Sequence, residues 1–209
     1  MQQRFDLIVV GAGMVGSALA CALADSGLKA ALLDAQSLQP VPEPLSGSGY
    51  DPRVSALSAA SEQILRRLGA WQQIPSSRRC AYRHMCVWDA EGTGEVRFDA
   101  RSLNELRLGH IVENWQVQNA LLAVLQGHPV ELLGDSRVQG LVQEDDGWRL
   151  NLDDGRQLHA PLILAADGAR SQLRDLAGFA MREWDYLHHA VVTTVELGRP
   201  HQDTAWQRF

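Results

Sequence analysis

The feature that most constrains this chain is the stretch at residues 5–27, FDLIVVGAGMVGSALACALADSG. Phe5 to Val10 is a short apolar, β-branched run ending on glycine, as expected of a strand buried on both faces. Gly11, Gly13 and Gly16 then fall at GxGxxG spacing, and Val15, Leu19, Ala22 and Leu23 recur at helical period, with Gly27 placed to end the helix. The first glycine permits the tight turn, the second lets backbone approach a pyrophosphate, and the third allows close helix–strand contact. Unsatisfied N–H groups at the helix N-terminus favour the anion. A glycine turn alone can be merely structural. Here KAALLDA follows as a second strand ending in Asp34, about 20 residues on, where a carboxylate can accept hydrogen bonds from an adenosine ribose. Strand, glycines, helix, strand and acid in this order point to a dinucleotide held by Gly11, Ala12, Gly13, Met14, Val15, Gly16 and Asp34. The acid suits FAD or NAD better than NADP and does not separate the first two.

A second informative stretch is LILAADGARSQLR, residues 162–174. An apolar strand, Leu162 to Ala166, ends on Asp167 immediately before Gly168. In open α/β sheets ligands bind beyond the carboxyl ends of strands. Asp167 and Gly168 can therefore line the same crevice as the glycine turn, with Arg170 or Arg174 paired to Asp167 or facing solvent. The plain alternative is an Asp-Gly turn.

Between these landmarks, Pro40, Pro42 and Pro44 with the following Ser and Gly residues make an exposed loop. From Ser55 the pattern turns helical, with Leu57, Ile64, Leu65 and Leu68 on one side. Arg53 just before it can reach a phosphate or a flavin edge, or simply be a surface arginine. YRHMCVWDAEGTGEVRFDA reads as two strands about a Gly-Thr-Gly turn, and NWQVQNALLAVLQG as a helix. Short strands with Asp-Gly turns at 146–147 and 154–155 form a β-meander leading into the strand at Leu162. The fold class is thus α/β, a Rossmann-like dinucleotide-binding domain with a β-meander.

Composition adds exclusions. Among 209 residues, 45% hydrophobic and 21% charged content describe an ordinary globular chain, and a net charge of −6 argues against a nucleic-acid backbone binder. No signal-peptide pattern and no 18-residue apolar window is visible. Cys21, Cys80 and Cys86 lack a CxxC spacing, which fits reduced thiols in a cytoplasmic setting. No Cys/His spacing suggests a metal site, and no residue stands out as a general base. His188 and His189 precede an apolar run and can approach a substrate, although such a pair is more often structural or solvent-facing.

Taken together, GxGxxG with Asp34, DPRVSALSAASEQILRRLGAW and ADGARSQLR resemble the class A (single-component) flavin-dependent aromatic hydroxylases. The resemblance is closest to the ubiquinone-biosynthesis branch, the 2-polyprenylphenol hydroxylases. GHIVENWQVQNAL and WDYLHHAVVTTVE support it, and it covers essentially the whole chain. It implies that Gly11, Gly13 and Gly16 carry the FAD pyrophosphate and that Asp34 holds the ribose. Arg53 would contact the flavin, Asp167 and Gly168 would serve FAD and NAD(P)H, and Gln118 is a weaker candidate for an FAD contact. It implies an FAD-binding domain at 1–75 and 105–180 and part of a β-sheet substrate domain at 76–104 and 181–209.

In such enzymes NAD(P)H reduces FAD, which with O2 hydroxylates an aromatic ring, here a lipid-like polyprenylated phenol. Peripheral contact at the inner face of the membrane and contact with other ubiquinone-pathway proteins are also implied; oligomeric state is left open. The family's later Gly-Asp-Ala-Ala-His motif does not occur, so the resemblance implies an N-terminal part of a longer protein. That part lacks some of the FAD site and substrate pocket and need not hold flavin tightly or catalyse on its own. Two other readings stand beside this one: an NAD-dependent dehydrogenase, and a non-catalytic dinucleotide-binding assembly subunit.

Overall fold

The first ten residues divide between two sheets. In the computed structural model, which describes residues 2–42 and 49–209, β1 (Gln2–Arg4) and β2 (Leu7–Val10) are separated at Phe5 and Asp6, so the strand expected over Phe5–Val10 begins only at Leu7. The Phe5 N–H donates to the His159 carbonyl at 2.9 Å. The Asp6 N–H donates to the Lys29 carbonyl, while the Asp6 carboxylate accepts from the Lys29 N–H. These bonds carry the backbone from one sheet to the next. Most of the Pro/Ser/Gly loop, residues 43–48, lies outside the described residues.

The chain continues through α1 (Met14–Leu23), β3 (Ala30–Leu33), β4 (Val54–Ser58), α2 (Ala59–Arg67), β5 (Cys80–Tyr82), β6 (His84–Trp88) and β7 (Glu95–Asp99). It goes on to β8 (Gly109–Glu113), α3 (Asn114–Leu125), β9 (Glu131–Leu133), β10 (Val138–Glu144), β11 (Gly147–Leu152), β12 (Gln157–Ala160), β13 (Leu162–Ala165), α4 (Gln172–Leu176) and β14 (Thr204–Arg208). Two compact units result, residues 1–41 with 118–189 and residues 42–117 with 190–209.

The first unit has a parallel sheet in the order β13-β2-β3-β9 and a second sheet in the order β1-β12-β11-β10. Alternation along a strand sends successive side chains to opposite faces. Ile8, Val10, Ala31 and Leu33 pack with Leu150, Leu152, Leu158 and Ala160 of the meander. Val9 and Leu32, also fully buried, belong to the other face, where α1 packs on β2 and β3. Burying one such aliphatic side chain contributes about 1.5–3 kcal/mol. The Cys21 thiol donates to the Leu121 carbonyl, setting α1 beside α3. β13 is shorter and more exposed than the sequence suggests, with Leu162 half exposed, because among the described residues it pairs only with β2.

In the second unit, β4, β8 and β5 form an antiparallel sheet, and β14, β6 and β7 form another. The helix expected from Ser55 starts later. Val54–Ser58 is a strand paired with β8, and Ser58 caps α2 by accepting from the Ser61 N–H at 3.2 Å. Cross-strand bonding to Gly109–Glu113 overrides the local helical spacing, which is a weak prior by itself. The hairpin about Gly-Thr-Gly forms as expected between β6 and β7. From Trp184 onward only Thr204–Arg208 becomes sheet, parallel to β6; Trp184, Tyr186, Val191 and Val195 are exposed, so no buried face fixes a strand there.

Candidate functional site

The carboxyl ends of β2, β3 and β13 bring the two sequence landmarks together. Gly11 has φ +103°, and a Cβ there would sit 2.3 Å from the Ala166 carbonyl oxygen. The Ala166 N–H donates to the Val10 carbonyl at 2.7 Å. The glycine turn therefore lies directly against the backbone that enters Asp167-Gly168. A Cβ on Gly16 would come within 1.8 Å of the Gly11 carbonyl oxygen, so the helix approaches the strand as closely as backbone allows. Gly13 differs: nothing lies within 4 Å of the position its Cβ would take. Gly13 and Val15 are exposed, Met14 is half-buried, and Gly13 caps α1 without a side-chain hydrogen bond. The first-turn N–H groups thus face an open cradle suited to a phosphate.

Ala12 is gripped from both sides. Its N–H donates to Asp34 Oδ2 at 2.6 Å, and its carbonyl accepts from Gln118 Nε2 at 3.1 Å and from Ser17 Oγ at 3.0 Å. Asp34 Oδ1 also accepts from the Gln36 N–H at 2.8 Å. Asp34 and Gln118 therefore fix the shape of the turn. Asp34 retains further acceptor capacity, since an ionised carboxylate offers about four lone-pair sites. Sequence reading overlooked Ser17, whose only signal is a hydroxyl within an otherwise small and apolar helix.

Asp167 has a local task as well. Its Oδ1 accepts from Ser171 Oγ at 2.6 Å and its Oδ2 from the Leu173 N–H at 3.1 Å, tying down the start of α4. Gly168, exposed, follows at φ +85°. A charged residue ends the strand because it organises the turn that leaves it. Arg174 does not pair with Asp167: its guanidinium donates to the Ala169 carbonyl and to Asp175.

A cleft of about 140 Å³ is lined by Gly11, Asp34, Ser136, Arg137, Asp167 and Gln172, among others. The two carboxylates suit sugar hydroxyls and would repel phosphate, which leaves the α1 N-terminus for the anion. Ser136 and Arg137 had no sequence signal; the β9–β10 connection brings them there.

Arg53 belongs to the second unit, exposed, just before β4, with its carbonyl accepting from the Asn114 N–H. That unit holds a dense ionic cluster. Glu62, 4% exposed, accepts from Arg66 at 2.6 and 2.9 Å and from Arg107 at 3.0 Å, and lies 2.9 Å from His110 Nδ1. Burial alone would raise the Glu62 pKa, but hydrogen bonds and charge from Arg107 and Arg66 outweigh it and bring it to about 2. Burial lowers the His110 pKa against the pull of Glu62. Trp71 packs edge-on to His110 and beneath Arg66 and Arg79.

Cys80, Cys86 and Cys21 are free thiols. Burial raises Cys80, helped by Asp203, and pushes Cys21 up to about 11, so neither is an activated nucleophile. His188 and His189 are exposed and outside helix or strand. Among the described residues no helix is long and apolar enough to cross a membrane.

Comparison with known proteins matches residues 4–207 to a family described as FAD binding domain. The chain is 36% identical over 208 residues to 3-demethoxyubiquinol 3-hydroxylase of Escherichia coli K12, covering 99% of this chain and 52% of that protein. It is 34% identical to ubiquinone hydroxylase UbiL of Rhodospirillum rubrum, covering 98% and 46%. The chain spans about half the length of these relatives. Among solved structures, Pseudomonas aeruginosa PqsL, a probable FAD-dependent monooxygenase, superposes with TM-score 0.67 at 19% identity over 88% of this chain and 48% of that one. p-Nitrophenol 4-monooxygenase PnpA of Pseudomonas putida gives 0.66 at 24% identity, over 85% and 44%. At these identities the likeness is one of fold.

Proposed function

The chain belongs to the FAD binding domain family, and from that premise we propose that the whole protein hydroxylates the aromatic ring of a polyprenylated phenol in ubiquinone biosynthesis, with NAD(P)H as reductant and O2 as oxygen source. The observation that carries this reading is the open space at Gly13, in the same unit as a cleft lined by Gly11, Asp34 and Asp167. The named activities of the Escherichia coli and Rhodospirillum rubrum relatives support the pathway and the reaction type. The dehydrogenase and assembly-subunit readings draw no support from them.

The residues present fit FAD. The N–H groups of Gly13, Met14 and Val15 would bind the pyrophosphate, and Asp34 and Asp167 would accept from hydroxyls. Gln118 and Ser17, through the Ala12 carbonyl, would hold the turn in its binding shape. Bound FAD would supply the redox chemistry and oxygen activation for hydroxylation. On the family resemblance alone, Arg53 is proposed as a further flavin contact. A lipid-like substrate would be met at a membrane surface, by peripheral contact and together with other proteins of the pathway.

FAD titration by absorbance and flavin fluorescence tests the reading, with Gly13→Ala as the decisive variant. The added methyl enters open space, so thermal stability should be nearly unchanged, a few tenths of a kcal/mol or less. FAD affinity should nonetheless fall by tenfold or more, corresponding to about 1.4 kcal/mol. Equal FAD affinity in wild type and Gly13→Ala would remove the pyrophosphate from this turn.

A further inference from the structure

Arg137 lines the same cleft as Gly11, Asp34 and Asp167, on the connection that leaves β9 and enters β10. That connection is fastened to the end of β3. The Asp34 N–H donates to the Leu133 carbonyl at 3.0 Å, the Ser136 N–H to the Asp34 carbonyl at 2.9 Å, and the Asp135 N–H to the Gln36 carbonyl at 3.0 Å. Ser136, 1% exposed, uses its hydroxyl internally, donating to the Gly134 carbonyl and accepting from Arg156.

Arg137 differs. The meander engages its backbone on both sides: its N–H donates to Asp153 Oδ1 at 3.1 Å, and its carbonyl accepts from the Asp153 N–H at 2.9 Å. Its side chain is exposed, and among the described residues its guanidinium makes no hydrogen bond or ion pair, even with the carboxylates that share the cleft. What Arg137 can offer a ligand is therefore the guanidinium alone.

Strand order decides which part of a ligand arrives there. The parallel sheet runs β13-β2-β3-β9, with neighbouring strands about 4.8 Å apart. A dinucleotide with its pyrophosphate at the α1 N-terminus, after β2, and its ribose at Asp34, after β3, has advanced one strand in that order. The base comes next, at the end of β9, against the connection that carries Arg137. The cleft, about 140 Å³, is smaller than the roughly 300–1,000 Å³ of pockets that enclose a whole ligand, so part of the dinucleotide lies over its rim. Adenine is uncharged and presents a flat π-face. A guanidinium is planar, weakly hydrated and stacks on such faces.

We propose that Arg137 stacks its guanidinium on the adenine of the bound dinucleotide and so holds the adenosine half of FAD. The inference rests on the flavin reading of the cleft and adds to it a residue outside the glycine turn and its acid. Attraction to the pyrophosphate would need only a cation, whereas stacking needs a planar one.

The test is calorimetric titration of the chain with FAD and with ADP, which carries the adenosine and the diphosphate without the flavin. Arg137→Ala and Arg137→Lys should each weaken both ligands by about fivefold, and Arg137→Tyr, which restores a flat face, should stay within about twofold of wild type. Without ligand all three should melt like wild type, since the side chain has no partner to lose. Equal affinity in wild type and Arg137→Ala would overturn the contact and leave the flavin site standing. Wild-type affinity in Arg137→Lys would make the contact one of charge and overturn the stacking. Loss of FAD affinity with ADP unchanged would move Arg137 to the flavin half and overturn it too. A wild-type chain that binds neither ADP nor FAD would remove the flavin reading, and the role of Arg137 with it.

Discussion

The cleft beside the glycine turn and the ionic cluster around Glu62 are both rich in polar groups, and they differ in how far those groups are satisfied. Glu62 has two guanidiniums and an imidazole around one buried carboxylate, leaving little for a ligand to add. Asp34 and Asp167 spend part of their capacity on backbone and hydroxyl donors, face a cleft, and sit beside a helix N-terminus without a side-chain cap. A structural cluster is closed by its own partners. A binding site keeps directed valence unspent, because the ligand must supply the last bonds.

Substitutions can break this contrast, and the largest effect is expected at the third glycine. Gly16→Ala places a methyl 1.8 Å from the Gly11 carbonyl, a clash that only backbone movement relieves. Loss of cooperative unfolding, or of soluble protein, is the expected outcome, checked by circular dichroism melts beside Gly13→Ala, which should melt like wild type. Similar melts for both would show that the turn is loose and that the contrast between its glycines is unreal.

Next in size is Glu62→Ala. It strands Arg66, Arg107 and His110 around a vacancy, at a cost of about 1–3 kcal/mol by denaturant unfolding. FAD affinity should be less affected than stability, the reverse of Gly13→Ala. A variant that loses FAD with no loss of stability would place Glu62 among binding residues.

The smallest effect is a pH dependence. The folded pKa of His110 lies below its ordinary value of 6.5, so the unfolded chain takes up the proton more readily and stability falls as pH drops below 6.5. Glu62, ordinarily 4.5 and about 2 when folded, contributes stability that is full above 4.5 and is lost as pH falls toward 2. Glu62→Gln should remove the lower part of this acid profile, measured as melting temperature against pH. A profile identical to wild type would show that the cluster does not control acid stability.

Much of the candidate site's local geometry was legible because it depends on residues whose chemistry is local. Gly11 and Gly16 mark a backbone path closed to other side chains, Gly13 between them faces open space, and Asp34 follows at the end of the next strand. The meander turns at Asp146-Gly147 and Asp154-Gly155 were readable for the same reason. The helix over 55–58 was misread because those residues take their structure from β8, more than 50 positions away in the chain. Phe5–Val10 was read as one strand, since nothing local reveals that Asp6 bonds to Lys29.

By itself the sequence determined a strand–turn–helix with free first-turn N–H groups, since glycine spacing and apolar periodicity are properties of neighbouring residues. Only the tertiary structure decided that the Ala12 peptide is held by Asp34 and Gln118, that Asp167 organises α4 while lining the cleft, and that Arg137 lines it too. These are meetings between residues far apart in sequence. They depend on strand order and register, which arise when buried faces pack and every backbone donor must find its partner.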